Sequence, residues 1–303
     1  MNEKQRSELA GILSEGIGFN CPMDQYTTFR VGGKAEAVCF PSELTLLLQT
    51  VSYLHNEEIP YLIVGKGSNL LVRDGGIEGV VIILKGRLAV VEKPSVEDNI
   101  LLAGGGLAIV ELLSYCGLEG FAGLEFLAGI PGSVGGAVFM NAGAFGKQVG
   151  DMVEEVRIVS GKGEPAVMPG SQLDFSYRKT SIPEGTVIYG VKFKLDKDHK
   201  DKISERIVDY LKKRKQGQPL DLPSGGSVFR NPPGDYAGRL IERAGLKGTR
   251  IGGAMISPKH ANFIVNTGNA KAADIVALMN LARDKVREET GIILETEIKV
   301  VGK

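Results

Sequence analysis

With 303 residues, the chain exceeds the roughly 250-residue size at which a single hydrophobic core stops growing, so two or three domains are expected. Basic and acidic residues balance at 36 each, which leaves no excess charge to bind nucleic acid or a membrane surface. No apolar run approaches the roughly 18 residues of a membrane span, and the charged opening Met1-Asn-Glu-Lys-Gln-Arg-Ser-Glu8 has no signal-peptide core, so a cytoplasmic protein is expected.

Residues 1 to 55 begin with a helix, pass through strand-like Ala35–Phe40, and enter a second helix that Ser42 is placed to cap, with Glu43 in its first turn. From Pro60 to Leu195 the texture is strand-rich. Tyr61–Val64, Leu70–Val72, Val80–Leu84, Leu101–Ala103, Val156–Val159 and Val187–Phe193 are short β-type runs. One helix interrupts them at Leu107–Tyr115, with Gly117 as its stop, and charged Leu195–Asp201 reads as a linker. Beyond it the spacing predicts helices over Asp198–Lys215, Tyr236–Ala244 (capped by Asp235) and Lys271–Thr290 (ended by Gly291). The last strand, Ile293–Val301, alternates so that Glu297 falls on its polar face. The fold class is α+β, a cofactor domain followed by a smaller C-terminal lobe.

Two glycine-rich loops are the strongest chemical signal. Leu127–Gly143 holds five glycines among large apolar residues, and Val64-Gly-Lys-Gly-Ser-Asn69 stands upstream between two apolar segments. Glycine lets a ligand approach bare main-chain N–H groups, which suits a phosphate-bearing cofactor; tight strand packing at a sheet corner is the duller alternative. Leu70 stands where a dinucleotide fingerprint needs its third glycine, and Gly33-Lys34 runs into Ala35, so neither a Rossmann motif nor a P-loop is present. Ser68, Asn69 and Ser133 would add side-chain hydrogen bonds. Cys21, Cys39 and Cys116 lack metal or disulfide spacing, so no metal site is expected and all three read as buried thiols.

Three further residues have chemistry to offer. Arg178, after Tyr177, carries the fork that suits a carboxylate, although loop arginines commonly sit in solvent. Ser227 follows two glycines but lies in no nucleophile elbow, and a turn serine is the plainer reading. Glu297 on a polar strand face is by default simply solvated.

In order, Thr28-Phe-Arg-Val-Gly-Gly33, the Gly65–Leu71 loop, Gly129–Gly143, Tyr177-Arg178, Gly226-Ser-Val-Phe229, Lys259-His-Ala-Asn-Phe263 and Glu297 resemble the UDP-N-acetylenolpyruvoylglucosamine reductase family. The match runs from about residue 20 to the C-terminus. The resemblance implies an FAD domain of the vanillyl-alcohol-oxidase (PCMH) type in two subdomains, 1–80 and 81–196, and a C-terminal α+β substrate domain, 197–303. It implies noncovalent FAD and NADPH as reductant. The implied substrate is the enolpyruvyl ether of UDP-N-acetylglucosamine, reduced to UDP-N-acetylmuramate for peptidoglycan.

By that resemblance Arg178 polarises the substrate carboxylate, Glu297 assists on its other side, and Ser227 protonates the carbanionic carbon. Gly65, Lys66, Gly67, Ser68, Asn69 and Leu70, with Gly129, Ile130, Pro131, Gly132 and Ser133, cradle the cofactor, while Gly136 and Ala137 line the flavin. Tyr177, Arg214 and Asn231 meet the substrate; for Arg214 the alternative is favourable charge at a helix C-terminus. Phe145 departs from the family, where many relatives carry tyrosine, and the chain resembles the short subclass without an extra tyrosine-bearing loop. Two other readings stand beside this one, an alcohol or sugar oxidase on the same fold and a cofactor-binding module without turnover. The oxidases often tether flavin through a histidine in a glycine loop, and His55, His199 and His260 lie outside both loops.

Overall fold

The computed structural model describes residues 1–92 and 99–303. Among them are seven α-helices: α1 Glu3–Leu13, α2 Leu44–Asn56, α3 Ile109–Glu119, α4 Val134–Phe139, α5 Lys200–Gly217, α6 Ala237–Arg243 and α7 Ala272–Thr290. The chain forms two compact units that interleave in sequence. The first takes Met1–Phe19, Glu36–Lys66 and Gly79–Lys212; the second takes Asn20–Ala35, Gly67–Glu78 and Lys213–Lys303. These units cut across the consecutive division at 80/81 and 196/197. The reason lies in burial: Phe29, Val31 and Leu71 from the two early segments pack into the core formed by the C-terminal residues.

In the first unit, an antiparallel sheet runs in the order Pro165–Pro169, Val153–Val159, Val187–Lys194, Ile100–Gly104, Val91–Glu92. Val156, Val191, Phe193, Leu101 and Ala103 share a core with Ile109, Leu112, Leu113 and Cys116 of α3, whose spacing makes one apolar stripe. A separate core joins Val159 and Val187 to Leu9 and Leu13 of α1 and Leu47, Val51 and Leu54 of α2. Burial of each such side chain contributes about 1.5–3 kcal/mol before entropy is charged against it.

Several local expectations are corrected here. Glu43, not Ser42, is the N-cap of α2, because the Ser42 carbonyl accepts from Arg87 N at 2.8 Å and so belongs to the preceding turn. α3 runs through Gly117 and ends at Gly120, the residue that adopts the left-handed conformation (φ 75°) and returns its amide to Cys116 O. Charged Leu195–Asp201 is no linker: Asp196–Lys197 pairs with Phe121–Ala122, and Lys197 Nζ lies 3.5 Å from the Phe121 ring centroid. Charge reports exposure, and an edge strand is exposed as well. Cys21 is half-buried, whereas Cys39 and Cys116 are buried as expected, and burial pushes the Cys116 thiol up to about 12.

The second unit holds an antiparallel sheet in the order Ser224–Ser227, Phe263–Asn266, Ala254–Ile256, Arg250–Ile251. α7 buries Ala272, Ile275, Leu278, Met279, Ala282 and Val286, an i, i+3, i+4 stripe, beside Leu240 and Ile241 of α6. The cap of α6 falls on Tyr236, not Asp235; Asp235 Oδ1 takes the amide of Tyr236 instead, and Asn231 Oδ1 takes that of Ala237. The last strand is shorter than its alternation predicts, spanning Lys299–Val301 in parallel register with Leu70–Val72. Its upstream half changes partner: Thr296 bridges Phe229 and Glu297 N bonds to Val228 O, whereas Lys299 N bonds to Asn69 O. Among the described residues no helix is long and apolar enough to cross a membrane, and no cluster of three or more His, Cys, Asp or Glu is placed to hold a metal.

Candidate active site

The two glycine loops meet within the first unit. A Cβ added to Gly65 would fall 2.2 Å from Ser133 Oγ, so the main chain of one loop rests directly on a side chain of the other. Ser133 is buried and caps α4, its Oγ accepting from Gly136 N at 3.3 Å. The amides of Val134, Gly135 and Ala137 are satisfied by Leu107 O, Gly105 O and Ser133 O. Ile130 N is likewise satisfied by Leu127 O and Pro131 carries no N–H, so any main-chain donors within Gly129–Ser133 are those of Gly129, Gly132 and Ser133. Gly129, Ile130 and Gly132 are half-buried, Pro131 and Gly136 exposed and Ala137 buried. At Gly65 the glycine is required by this close packing on Ser133, which leaves no room for a side chain between the two loops.

The Gly65 loop crosses from one unit to the other at Lys66/Gly67. Lys66 is exposed and Gly65 half-buried; beyond the crossing, Gly67 and Leu70 are buried and Ser68 and Asn69 half-buried. Asn69 Nδ2 donates to Glu297 O at 3.0 Å, while Asn69 O accepts from Lys299 N. This side chain, expected to face a cofactor, is thus also tied to the segment that carries Glu297.

Tyr177 and Arg178 form the turn of a hairpin between Phe175–Ser176 and Lys179–Thr180. Arg178 adopts φ 58°, donates from Nη1 to Gly143 O at 3.2 Å, and lies 5.4 Å from the ring centroid of exposed Tyr177. The hairpin is anchored by a residue that sequence reasoning missed. Asn141, buried, donates to Ser176 O and Gln148 Oε1 and accepts from Gly150 N. A second omission is Glu125, a buried carboxylate just upstream of the Gly129 loop; it accepts Gly123 N and two bonds from Arg206. An acidic residue inside the apolar run Phe121–Leu127 was the available signal. Phe145, half-exposed, packs against Tyr210 with ring centroids 4.8 Å apart.

In the second unit, Ser227 ends its strand opposite Phe263, after a register shift in the ladder. Phe29 fills the space above the preceding Gly225, where a Cβ would sit 2.2 Å from the ring. Ser227 and Glu297 are both half-buried, and Glu297 N bonds to the carbonyl of Val228, the residue after Ser227. Arg214 lies in the last turns of α5 and donates to Gln218 Oε1 at 3.4 Å. Asn231 is exposed.

Known proteins bear on these parts directly. An FAD binding domain model matches residues 35–168, and the model of the UDP-N-acetylenolpyruvoylglucosamine reductase C-terminal domain matches residues 218–301. The UDP-N-acetylenolpyruvoylglucosamine reductase of Syntrophus aciditrophicus is 42% identical over 298 residues, 98% of this chain and 96% of its own length. That of Clostridium kluyveri is 39% identical over 95% of this chain and 94% of its own. The chain belongs to the UDP-N-acetylenolpyruvoylglucosamine reductase family. The crystal structure of the Thermus caldophilus reductase superimposes with a TM-score of 0.80 at 38% identity, over 93% of this chain and 97% of that one. A p-cresol methylhydroxylase structure, 12% identical with a TM-score of 0.56, shares the fold alone. Like the rest of the reductase family, the chain is an FAD-dependent oxidoreductase of peptidoglycan precursor synthesis, with an α+β fold that joins a PCMH-type FAD domain to a C-terminal domain.

Proposed function

We propose that the protein reduces the enolpyruvyl ether of UDP-N-acetylglucosamine to UDP-N-acetylmuramate with NADPH as reductant. With FAD bound, the chemistry it would supply is hydride transfer from the nicotinamide to the terminal enolpyruvyl carbon. Negative charge then develops on the adjacent carbon and its carboxylate. The Arg178 fork takes up that charge, with Glu297 on the other side of the carboxylate, and the Ser227 hydroxyl delivers the proton that completes the saturated product. A serine hydroxyl is a very weak acid, so only a base as strong as an enolate carbon draws its proton. Gly65–Leu70 and Gly129–Ser133 hold FAD without a covalent bond, with Gly136 and Ala137 along the flavin; Tyr177, Arg214 and Asn231 bind substrate.

The observation that supports this reading is the hydrogen bond from Glu297 N to Val228 O, which ties the segment of Glu297 to the residue after Ser227. Balanced charge agrees with a small-molecule partner without nucleic acid or membrane, and a cytoplasmic location completes the proposal. The test is colour. Purified protein is expected to be yellow, to release all flavin on acid precipitation, to bleach with NADPH, and to recolour under anaerobic conditions when the enolpyruvyl substrate is added. Bleached flavin that ignores the substrate contradicts the proposal, and flavin that stays in the acid pellet contradicts noncovalent binding.

A further inference from the structure

Ser227 must hold its hydroxyl at a fixed place to serve as a general acid, yet its strand is irregular there: the ladder with Phe263–Asn266 slips between Ser224 and Ser227. The two residues that follow are secured by one residue, Phe229 by its side chain and Val228 by its main chain. Asn262, buried at 3% exposure, commits its whole amide to the main chain of Phe229, with Oδ1 accepting from Phe229 N at 2.9 Å and Nδ2 donating to Phe229 O at 2.8 Å. Its own carbonyl accepts from Val228 N at 2.8 Å. The carboxamide thereby takes the place of a missing strand neighbour. On the other side, Val228 O accepts from Glu297 N. Asn262 N is directed at His260 Nδ1, 3.3 Å away, in a ring that burial holds below the usual imidazole range.

We propose that Asn262 is a positioning residue for proton delivery: it fixes Val228 and Phe229, and through them the place of the Ser227 hydroxyl and the register of Glu297. This rests on the assignment of Ser227 as proton donor made above. Asn262 needs no contact with substrate to matter. General-acid transfer requires a heavy-atom separation of about 2.6–3.2 Å, and misplacement by about 1 Å costs on the order of a hundredfold in rate. A purely structural asparagine would cost stability and leave the rate of folded enzyme alone.

The experiment measures both half-reactions by stopped flow on FAD-loaded Asn262→Asp and Asn262→Ser; the smaller serine guards against failure of the buried aspartate to fold. Bleaching by NADPH is expected within about twofold of the unaltered protein, with reoxidation by the enolpyruvyl substrate slowed about 10–100-fold. In a Ser227→Ala background the same Asn262 changes are expected to add less than about twofold, because the hydroxyl they misplace is already gone. Unchanged reoxidation with only a lowered Tm, or full additivity with Ser227→Ala, overturns the role of Asn262 while leaving Ser227 in place. Unchanged reoxidation in Ser227→Ala alone overturns the donor assignment itself, and the role of Asn262 with it.

Discussion

Gly65 and Ser133 in the first unit meet as bare main chain against a hydroxyl, whereas Ser227 in the second is held indirectly, through the peptide groups of Val228 and Phe229. The first arrangement depends on the absence of side chains and the second on one buried carboxamide. A large planar cofactor needs surface and backbone donors, which glycine provides; a proton donor needs one atom in one place, which calls for hydrogen bonds from several directions. The two kinds of site should therefore fail differently when altered.

The largest effect is expected at the proton donor. Ser227→Ala should lower turnover about 10²–10⁴-fold while FAD binding and bleaching by NADPH stay nearly intact, and Ser227→Cys should retain more, since a thiol is the better acid. Steady-state rates beside a flavin absorbance spectrum check this. If Ser227 is only a turn residue, the alanine change costs no more than about 0.5 kcal/mol and no activity.

That contrast also explains what the sequence revealed. Glycine enrichment is a local compositional fact, so both glycine-rich loops were legible, as were α7 and the three central strands of the main sheet, whereas its outer strands Pro165–Pro169 and Val91–Glu92 were not. Asn262, Asn141 and Glu125 act on residues distant in sequence, Phe229, Ser176 and Arg206, and no local pattern announces such partners. The shortened last strand has the same origin: alternation describes which faces are buried, and Glu297 and Lys299 bond to different segments, at Val228 and Asn69. Helix ends went astray where a neighbouring turn claimed the expected cap, as with Ser42 and Asp235. Ser227 and Arg178 were singled out by the resemblance to the family, where the residues alone read as a turn serine and a solvated loop arginine.

Arg178→Ala comes next in size. Removing a preorganised donor from developing charge typically costs about 10²–10³ in rate, so reoxidation should slow by that order while bleaching is unaffected. Equal slowing of both steps would assign Arg178 to the cofactor pocket, a use its bond to Gly143 O also allows. Gly65→Ala should act smaller and on the other side. Its Cβ must displace the Ser133 hydroxyl from its cap on α4; overpacking of this kind costs about 1–3 kcal/mol of stability, read as a lowered Tm, and the displaced loop is expected to weaken FAD binding in a fluorescence titration.

The smallest effect concerns pH. Burial lowers the His260 pKa, so between its folded value and the unfolded value of about 6.5 the unfolded chain binds the extra proton, and stability drops as pH falls through that window. His260→Gln should flatten this part of the Tm profile between about pH 7.5 and 5.5, leaving the loss due to carboxylates. An unchanged slope would mean that His260 is protonated as readily in the folded protein as in the unfolded one.

The most direct comparison places Gly65→Ala and Ser227→Ala side by side in anaerobic stopped flow, each saturated with FAD, with bleaching by NADPH and recolouring by the enolpyruvyl substrate timed separately. Gly65→Ala, once loaded, should pass through both steps within a few-fold of the unaltered protein, its defect confined to FAD affinity, while Ser227→Ala should bleach normally and recolour about 10²–10⁴-fold slower. Recolouring of Ser227→Ala within a few-fold of the unaltered rate, or slow bleaching in that variant, would contradict the assignment of the proton donor to the strand that ends at Ser227.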